Sequence, residues 1–158
     1  MPGTTVPITP EGFEKLKKEL KHLKEVERPQ NVRDIEEARE HGDLSENAEY
    51  HAAKEKQGLI EARMNEIEDK ISRAEVIDPA KIKSDRISFG ARVSLENLDT
   101  GEEVQYRIVG ADEADIDRGT ISIESPLARA LIRREPGDEI KVRTPGGLRE
   151  FEIIDFDY

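Results

Sequence analysis

Asp43 and Glu46 are the pair in this chain whose type and spacing point most directly to chemistry. They stand three residues apart in the run Glu40-His41-Gly42-Asp43-Leu44-Ser45-Glu46-Asn47-Ala48-Glu49-Tyr50. Two carboxylates this close can share one hard divalent cation; Mg²⁺ is held in this way where phosphate oxygens and waters fill the remaining positions. Alone they make a weak site, so the arrangement reads as half of one, completed by a partner. A second reading is open for the same residues. Asp43-Leu44-Ser45-Glu46 matches a helix capping box, with Asp43 capping and Glu46 reaching back to the backbone. The two roles are compatible, because a carboxylate has more lone pairs than one cap uses. Closeness to a helix start favours the ionised form of both groups. Leu44, between them, is expected to be exposed, and capping does not ask for it.

The neighbouring candidates are weaker. His41 and His51 flank the pair but have no third ligand at a useful spacing, and they read as surface residues. Arg39 and Lys54 fall near the same turn, as surface salt-bridge partners or as phosphate contacts. No nucleophile–base pairing, glycine-rich phosphate loop or zinc pattern occurs in the sequence.

Two helical segments must position this run. Thr9 can cap the first, with Pro10 at the tolerated first position. Phe13, Leu16, Leu20 and Leu23 then form one apolar stripe, which Val32, Ile35 and Ala38 resume after Pro29. Pro29 removes a backbone donor and is expected to kink the helix. In the second segment Ala48, Ala52, Ile60, Met64, Ile67, Ile71 and Ala74 share a face, in heptad register from Ile60, and Asp78-Pro79 is expected to end it. The intervening His41-Gly42-Asp43-Leu44-Ser45 is short enough to force the helices antiparallel. About 30 residues per arm give a rod on the order of 45 Å long at ~1.5 Å per residue, with the carboxylates at its far end.

Residues 80–158 change punctuation, with seven of the eleven glycines and five of the seven aromatic residues. Arg92-Val93-Ser94-Leu95 leads into the Asp99-Thr100-Gly101 turn, and Val104, Tyr106 and Ile108 continue on the returning strand. Ile121 and Ile123 mark another strand. Ser125-Pro126 starts a short helix running to Ile132, with Ser125 as its cap. Pro136-Gly137-Asp138 and Pro145-Gly146-Gly147 are turns around an Ile140–Val142 strand, and a strand from Phe151 to Phe156 closes the unit. The expected fold class is therefore α+β: an antiparallel two-helix coiled-coil hairpin over residues 1–79, then a twisted antiparallel sheet with one short helix over residues 80–158. Lys81–Arg86 reads as the linker.

Composition agrees with thin cores rather than one thick one, since 39% of residues are charged and 35% hydrophobic. The net charge of −11 argues against bulk, sequence-independent nucleic-acid binding. Without cysteine there is neither a disulfide framework nor a thiolate metal site. Met1–Pro10 lacks the basic start and apolar core of a signal peptide, and no apolar run approaches the ~20 residues of a membrane span. The chain is expected to be cytoplasmic, without membrane contact, and monomeric when free.

The segment from Glu37 to Ala53, which carries the acidic pair, resembles the hairpin tip of the Gre-type transcript cleavage factors of bacterial RNA polymerase, in the GreA branch. Ser125-Pro126-Leu127-Ala128-Arg129-Ala130-Leu131 and Thr144-Pro145-Gly146-Gly147 resemble that family's second domain. The likeness spans essentially the whole chain. It implies that the second domain is FKBP-like and docks at the mouth of the polymerase secondary channel, while the hairpin passes down it. Asp43 and Glu46 match the family's acidic pair. The resemblance implies that they help hold a second Mg²⁺ and its attacking water in the polymerase active site, which then cleaves backtracked RNA near its 3′ end. Arg39 and Lys54 match positions that contact the extruded RNA. Leu44, Asn47 and Tyr50 are assigned to support of the tip, and Ser125 and Pro126 to the polymerase-docking surface. No role is attached to Ser45.

Two other functions remain open on the sequence. One is a channel-plugging inhibitor of the polymerase, for which a differently charged tip, richer in Asp, is expected. The other is an FKBP-type prolyl isomerase with a coiled-coil arm. Against it, Phe89, Tyr106, Phe151, Phe156 and Tyr158 are few for an aromatic-lined pocket, and several alternate as core residues.

Overall fold

The computed structural model describes residues 5–158. Residues 1–4, which the sequence reading counts with the helices, lie outside the described residues. The chain divides into two compact units, one of Phe13–Ala74 and one of Glu75–Tyr158 together with residues 5–12.

The first unit is a helical hairpin. Helix α1 (Pro10–His22) begins where Thr9 Oγ1 accepts the Gly12 amide at 3.1 Å, so the cap and the proline stand as expected. It runs through a π-helical turn, Leu23–Glu27, into α2 (Arg28–Arg39). The cause is Pro29, which has no N–H and whose ring crowds the Glu25 carbonyl. Widening the turn resolves the conflict: the Arg28 amide bonds back five residues to Leu23 O. One extra residue per turn also moves the seam. Beyond Leu23 the inward positions are Glu27, Asn31, Ile35 and Ala38, whereas Val32, expected on the stripe, is 44% exposed.

The second arm, α3 (Ala48–Arg73), packs against α2 with Ala53, Ile60, Met64 and Ile67 buried. Its stripe includes Ala53 rather than Ala52, and Ala48 is exposed, so the register from Tyr50 through Gln57 to Ile71 follows steps of three and four without a break. Asn31 sits in this seam at 1% exposure, and its Nδ2 donates to the Ala53 carbonyl at 2.9 Å. Glu19 and Arg63 also join the arms, through bonds of 2.6 and 2.8 Å. Helix α3 ends at Arg73, before Asp78-Pro79, because Ala74–Val76 forms a strand, β2, paired with β1 (Val6–Ile8).

The second unit carries a five-stranded sheet in the order β5-β4-β3-β7-β6, made of β3 (Arg92–Asn97), β4 (Glu103–Val109), β5 (Thr120–Ser122), β6 (Glu139–Thr144) and β7 (Gly147–Asp157). The Asp99-Thr100-Gly101 turn joins β3 and β4 as read, with Asn97 Oδ1 accepting the Asp99 and Thr100 amides. The sheet is mixed rather than antiparallel throughout, for β5 runs parallel to β4. The stretch 110–119, with a 3₁₀ turn at Ile116–Arg118, carries the chain back before β5 enters, as a parallel neighbour requires. Helix α4 (Pro126–Leu131) seals one face, where Ala128 and Leu131 join Ile87, Val93, Leu95, Ile108, Ile140 and Ile153 in the core.

One side chain organises the start of this unit's N-terminal strip. Glu113 accepts the Thr9 amide at 3.0 Å and the Gly110 amide at 2.8 Å, and is bonded by the Thr9 hydroxyl as well. Thr9 is buried, so a carboxylate here satisfies donors that would otherwise be stranded.

Candidate functional site at the hairpin turn

The turn between α2 and α3 is built from backbone outward. The last carbonyls of α2 are met by the amides of Glu40, His41 and Gly42, and Gly42 then takes φ +110°, a conformation suited to glycine. The chain leaves the helix at this point and exposes residues 43–46.

Asn47, not Asp43, caps α3. Its side-chain oxygen accepts the Tyr50 amide at 3.0 Å, and its Nδ2 donates to the Ala38 carbonyl at 2.6 Å across the hairpin. The capping-box reading of Asp43 and Glu46 is thereby corrected: an Asn at the true cap position outcompetes an Asp four residues upstream. One side chain thus closes the base of the turn and starts the returning helix.

Asp43 is engaged locally instead. Both the amide and the hydroxyl of Ser45 donate to its Oδ1, at 3.0 and 2.8 Å. The Ser45 hydroxyl, then the Ser45 amide, hold the Asp43 carboxyl below its ordinary range. Ser45, to which the sequence alone attaches no role, is thus the partner of Asp43, and the Asp-x-Ser spacing of an Asx turn is the signal that marks it. Oδ2 of Asp43 has no hydrogen bond among the described residues, and the Glu46 carboxylate makes neither a hydrogen bond nor an ion pair there. Leu44, between them, is exposed.

The flank is layered. The His51 ring stacks on Tyr50 at 5.8 Å between centroids, and its Nε2 lies 3.2 Å from Ser45 O. The Arg39 guanidinium lies 6.0 Å from the centre of the Tyr50 ring, so Arg39 from α2 and Tyr50 from α3 meet. Lys54 is one turn further along α3, on the Tyr50 side, and donates to Gln57 at 2.8 Å. His41 pairs with Glu49 at 3.6 Å when protonated. Ser125 and Pro126 are elsewhere, in the second unit: Ser125 Oγ accepts the Ala128 amide at 3.2 Å as the cap of α4, and Pro126 is exposed at its first position.

The donor set at the turn is two hard carboxylates with free oxygens, which suits Mg²⁺ in kind. It does not suffice in number. Among the described residues no group of three or more His, Cys, Asp or Glu could hold a metal ion, so these two would act as ligands only beside others.

Residues 6–76 match a family model described as transcription elongation factor, N-terminal, and residues 82–158 one described as transcription elongation factor, GreA/GreB, C-terminal. The curated transcription elongation factor GreA of Brucella canis is 60% identical over 148 residues, covering 94% of this chain and 94% of that protein. The GreA of Jannaschia sp. is 58% identical over 153 residues, 97% of both chains. That of Alkalilimnicola ehrlichii is 56% identical over 154 residues, 97% of this chain and 98% of the relative. These matches support neither the inhibitor nor the prolyl-isomerase reading. Among the described residues no helix is long and apolar enough to cross a membrane.

Proposed function

The chain belongs to the GreA/GreB family of transcription elongation factors, and we propose that it acts by presenting Asp43 and Glu46 to the active site of bacterial RNA polymerase. The hairpin enters the secondary channel, and the polymerase's own cleavage of backtracked nascent RNA is stimulated, releasing 3′ fragments. The factor is not an enzyme by itself. It works in the cytoplasm, as a monomer, with its second unit held against the polymerase through the Ser125-Pro126 surface.

The observation that carries this reading is the division of labour at the turn. Asn47 takes the cap and the clip to Ala38, so neither carboxylate is consumed by helix formation. Asp43 keeps Oδ2 for a ligand while Ser45 fixes Oδ1, and the depressed carboxyl stays ionised. A Mg²⁺ shared with the polymerase would supply an activated water and offset charge on the scissile phosphate. Glu46 adds a second oxygen donor from the other side of Leu44. Arg39, held over Tyr50, and Lys54, one turn further along α3, supply two positive charges on the arms behind the turn, which would orient the RNA 3′ segment through its phosphates.

The test is a purified, stalled elongation complex with Mg²⁺, assayed for RNA released from the 3′ end. The intact protein is expected to shorten the transcript, whereas Asp43→Asn and Glu46→Gln do not, though both still compete for the polymerase. Full cleavage by both variants at saturating Mg²⁺ would sink the proposal.

A further inference from the structure

The outer face of the sheet holds a charge arrangement that the hairpin chemistry does not use. Side chains of β3 and β4 alternate, with Val93 and Leu95 inward and Arg92 outward. In register across the strands, Arg92 stands directly opposite Arg107, which in turn stands beside Thr120 of β5. Arg118 joins them from the 3₁₀ turn, just before Gly119, whose φ of +78° turns the chain into β5. Together Arg92, Gln105, Arg107, Arg118, Gly119 and Thr120 line a groove of about 270 Å³.

Like charges directly opposite on neighbouring strands destabilise a sheet. The surrounding carboxylates relieve this only at the edges. Glu11 lies 4.0 Å from Arg107, Asp115 lies 3.6 Å from Arg118, and Asp157 faces Arg92 across its other ladder. None of the three guanidinium groups donates a hydrogen bond among the described residues, which leaves most of their N–H groups to solvent or to a ligand. Thr120 is already committed, its hydroxyl bonded to the backbone of Asp115, and Gln105 reaches Ser94 at 3.4 Å. The available donors are therefore the arginines.

We propose that the groove across β3, β4 and β5 binds a phosphoryl oxyanion bridged between Arg92 and Arg107, with Arg118 closing over it. Planar guanidinium forks match phosphate oxygens in pairs. The lining contains no apolar side chain and no ring, so nothing there would cover the apolar anchors that protein partners insert or stack on a base. What the groove reads is charge and oxygen geometry. A free polyphosphate and the phosphate backbone of a nucleic acid offer the same group. The site is independent of the acidic pair, so its fate does not depend on that of the cleavage proposal.

The experiment uses the full chain labelled for NMR, titrated at low salt with inorganic pyrophosphate and, separately, with a short single-stranded RNA. Binding is expected to shift the amides of Arg92, Arg107 and Gly119 and to weaken linearly on a logarithmic salt scale. The double variant Arg92→Gln/Arg107→Gln is expected to bind roughly tenfold more weakly or worse. Arg92→Gln/Arg143→Gln, which removes the same total charge but only one groove arginine, retains an intermediate affinity, and the folding of both is checked by thermal unfolding. Response to pyrophosphate alone identifies a free polyphosphate; response to RNA identifies a backbone contact. If neither probe shifts these amides, or if both double variants bind as the parent does, the proposal is overturned.

Discussion

Asn31 and Ala53 are joined by a hydrogen bond of 2.9 Å that lies wholly inside the seam of the hairpin, donor side chain on one arm and acceptor carbonyl on the other. A buried amide among apolar neighbours ties the arms in one alignment, since any slip leaves it unbonded. Asn31→Ala is expected to lower stability by about 1–3 kcal/mol. Asn31→Leu should recover most of that loss yet permit alternative alignments. Urea unfolding measures the first, and hydrogen exchange along α3 the second; equal protection in Asn31→Leu and the parent would refute the register role.

Ser45 controls Asp43. Replacing it with alanine removes the hydroxyl donor that contributes most to the depressed Asp43 carboxyl. The carboxyl is therefore expected to titrate higher in Ser45→Ala, followed by NMR in the free protein. The sign for stability follows from the same shift: a depressed folded-state pKa favours folding above the unfolded value, and this is lost as pH falls through the folded one. In the cleavage assay the acid limb of the pH profile should move upward in Ser45→Ala, at unchanged affinity for the polymerase.

Glu19 and Arg63 form a two-bond pair between the arms, and the Arg63 guanidinium holds the Glu19 carboxyl below its usual range. Both side chains are over a third exposed, so solvent screening keeps the coupling at about 1 kcal/mol or less. A double-mutant cycle with Glu19→Gln and Arg63→Met should give that coupling at neutral pH. It should vanish as acid passes through the lowered Glu19 pKa, below the ordinary carboxylate range.

Gly12 is required by its neighbour. A Cβ there would collide with the Glu113 carboxylate. Gly12→Ala is therefore expected to displace Glu113 from Thr9 and Gly110 and to cost about 1–3 kcal/mol, read by thermal unfolding. Shortening the opposing side chain in Gly12→Ala/Glu113→Ala should relieve the clash while leaving the Thr9 and Gly110 donors unmet. The two losses are then less than additive.

Much of this architecture is legible in the sequence because it follows simple periods. Leu16, Leu20 and Leu23 announce one arm, Ile60, Met64 and Ile67 the other, and Val93 and Leu95 an alternating strand. What escapes is local competition. Pro29 signals trouble in a helix but not that a π turn will answer it, and that turn moves the seam from Val32 to Asn31. Ala52 and Ala53 are equivalent to a periodicity argument until Tyr50 and Gln57 fix the phase. Asp43 and Asn47 are both good caps, and only the observed start of α3 chooses between them. The β1–β2 pairing depends on strands of three residues, too short for any pattern to mark. At the turn, the acidic pair stands out by residue type, whereas Ser45 is marked only by its Asp-x-Ser spacing, and the bonds it makes to Asp43 give that spacing its meaning.

Because Asn47 both pins the loop to Ala38 and begins α3, and Gly42 turns the chain out of α2, residues 43–46 form a cassette mounted on a finished stem. Their composition can drift, or be swapped in the laboratory for another short loop, without unwinding either arm. Selection can thus retune what the hairpin delivers while the scaffold beneath it is inherited intact.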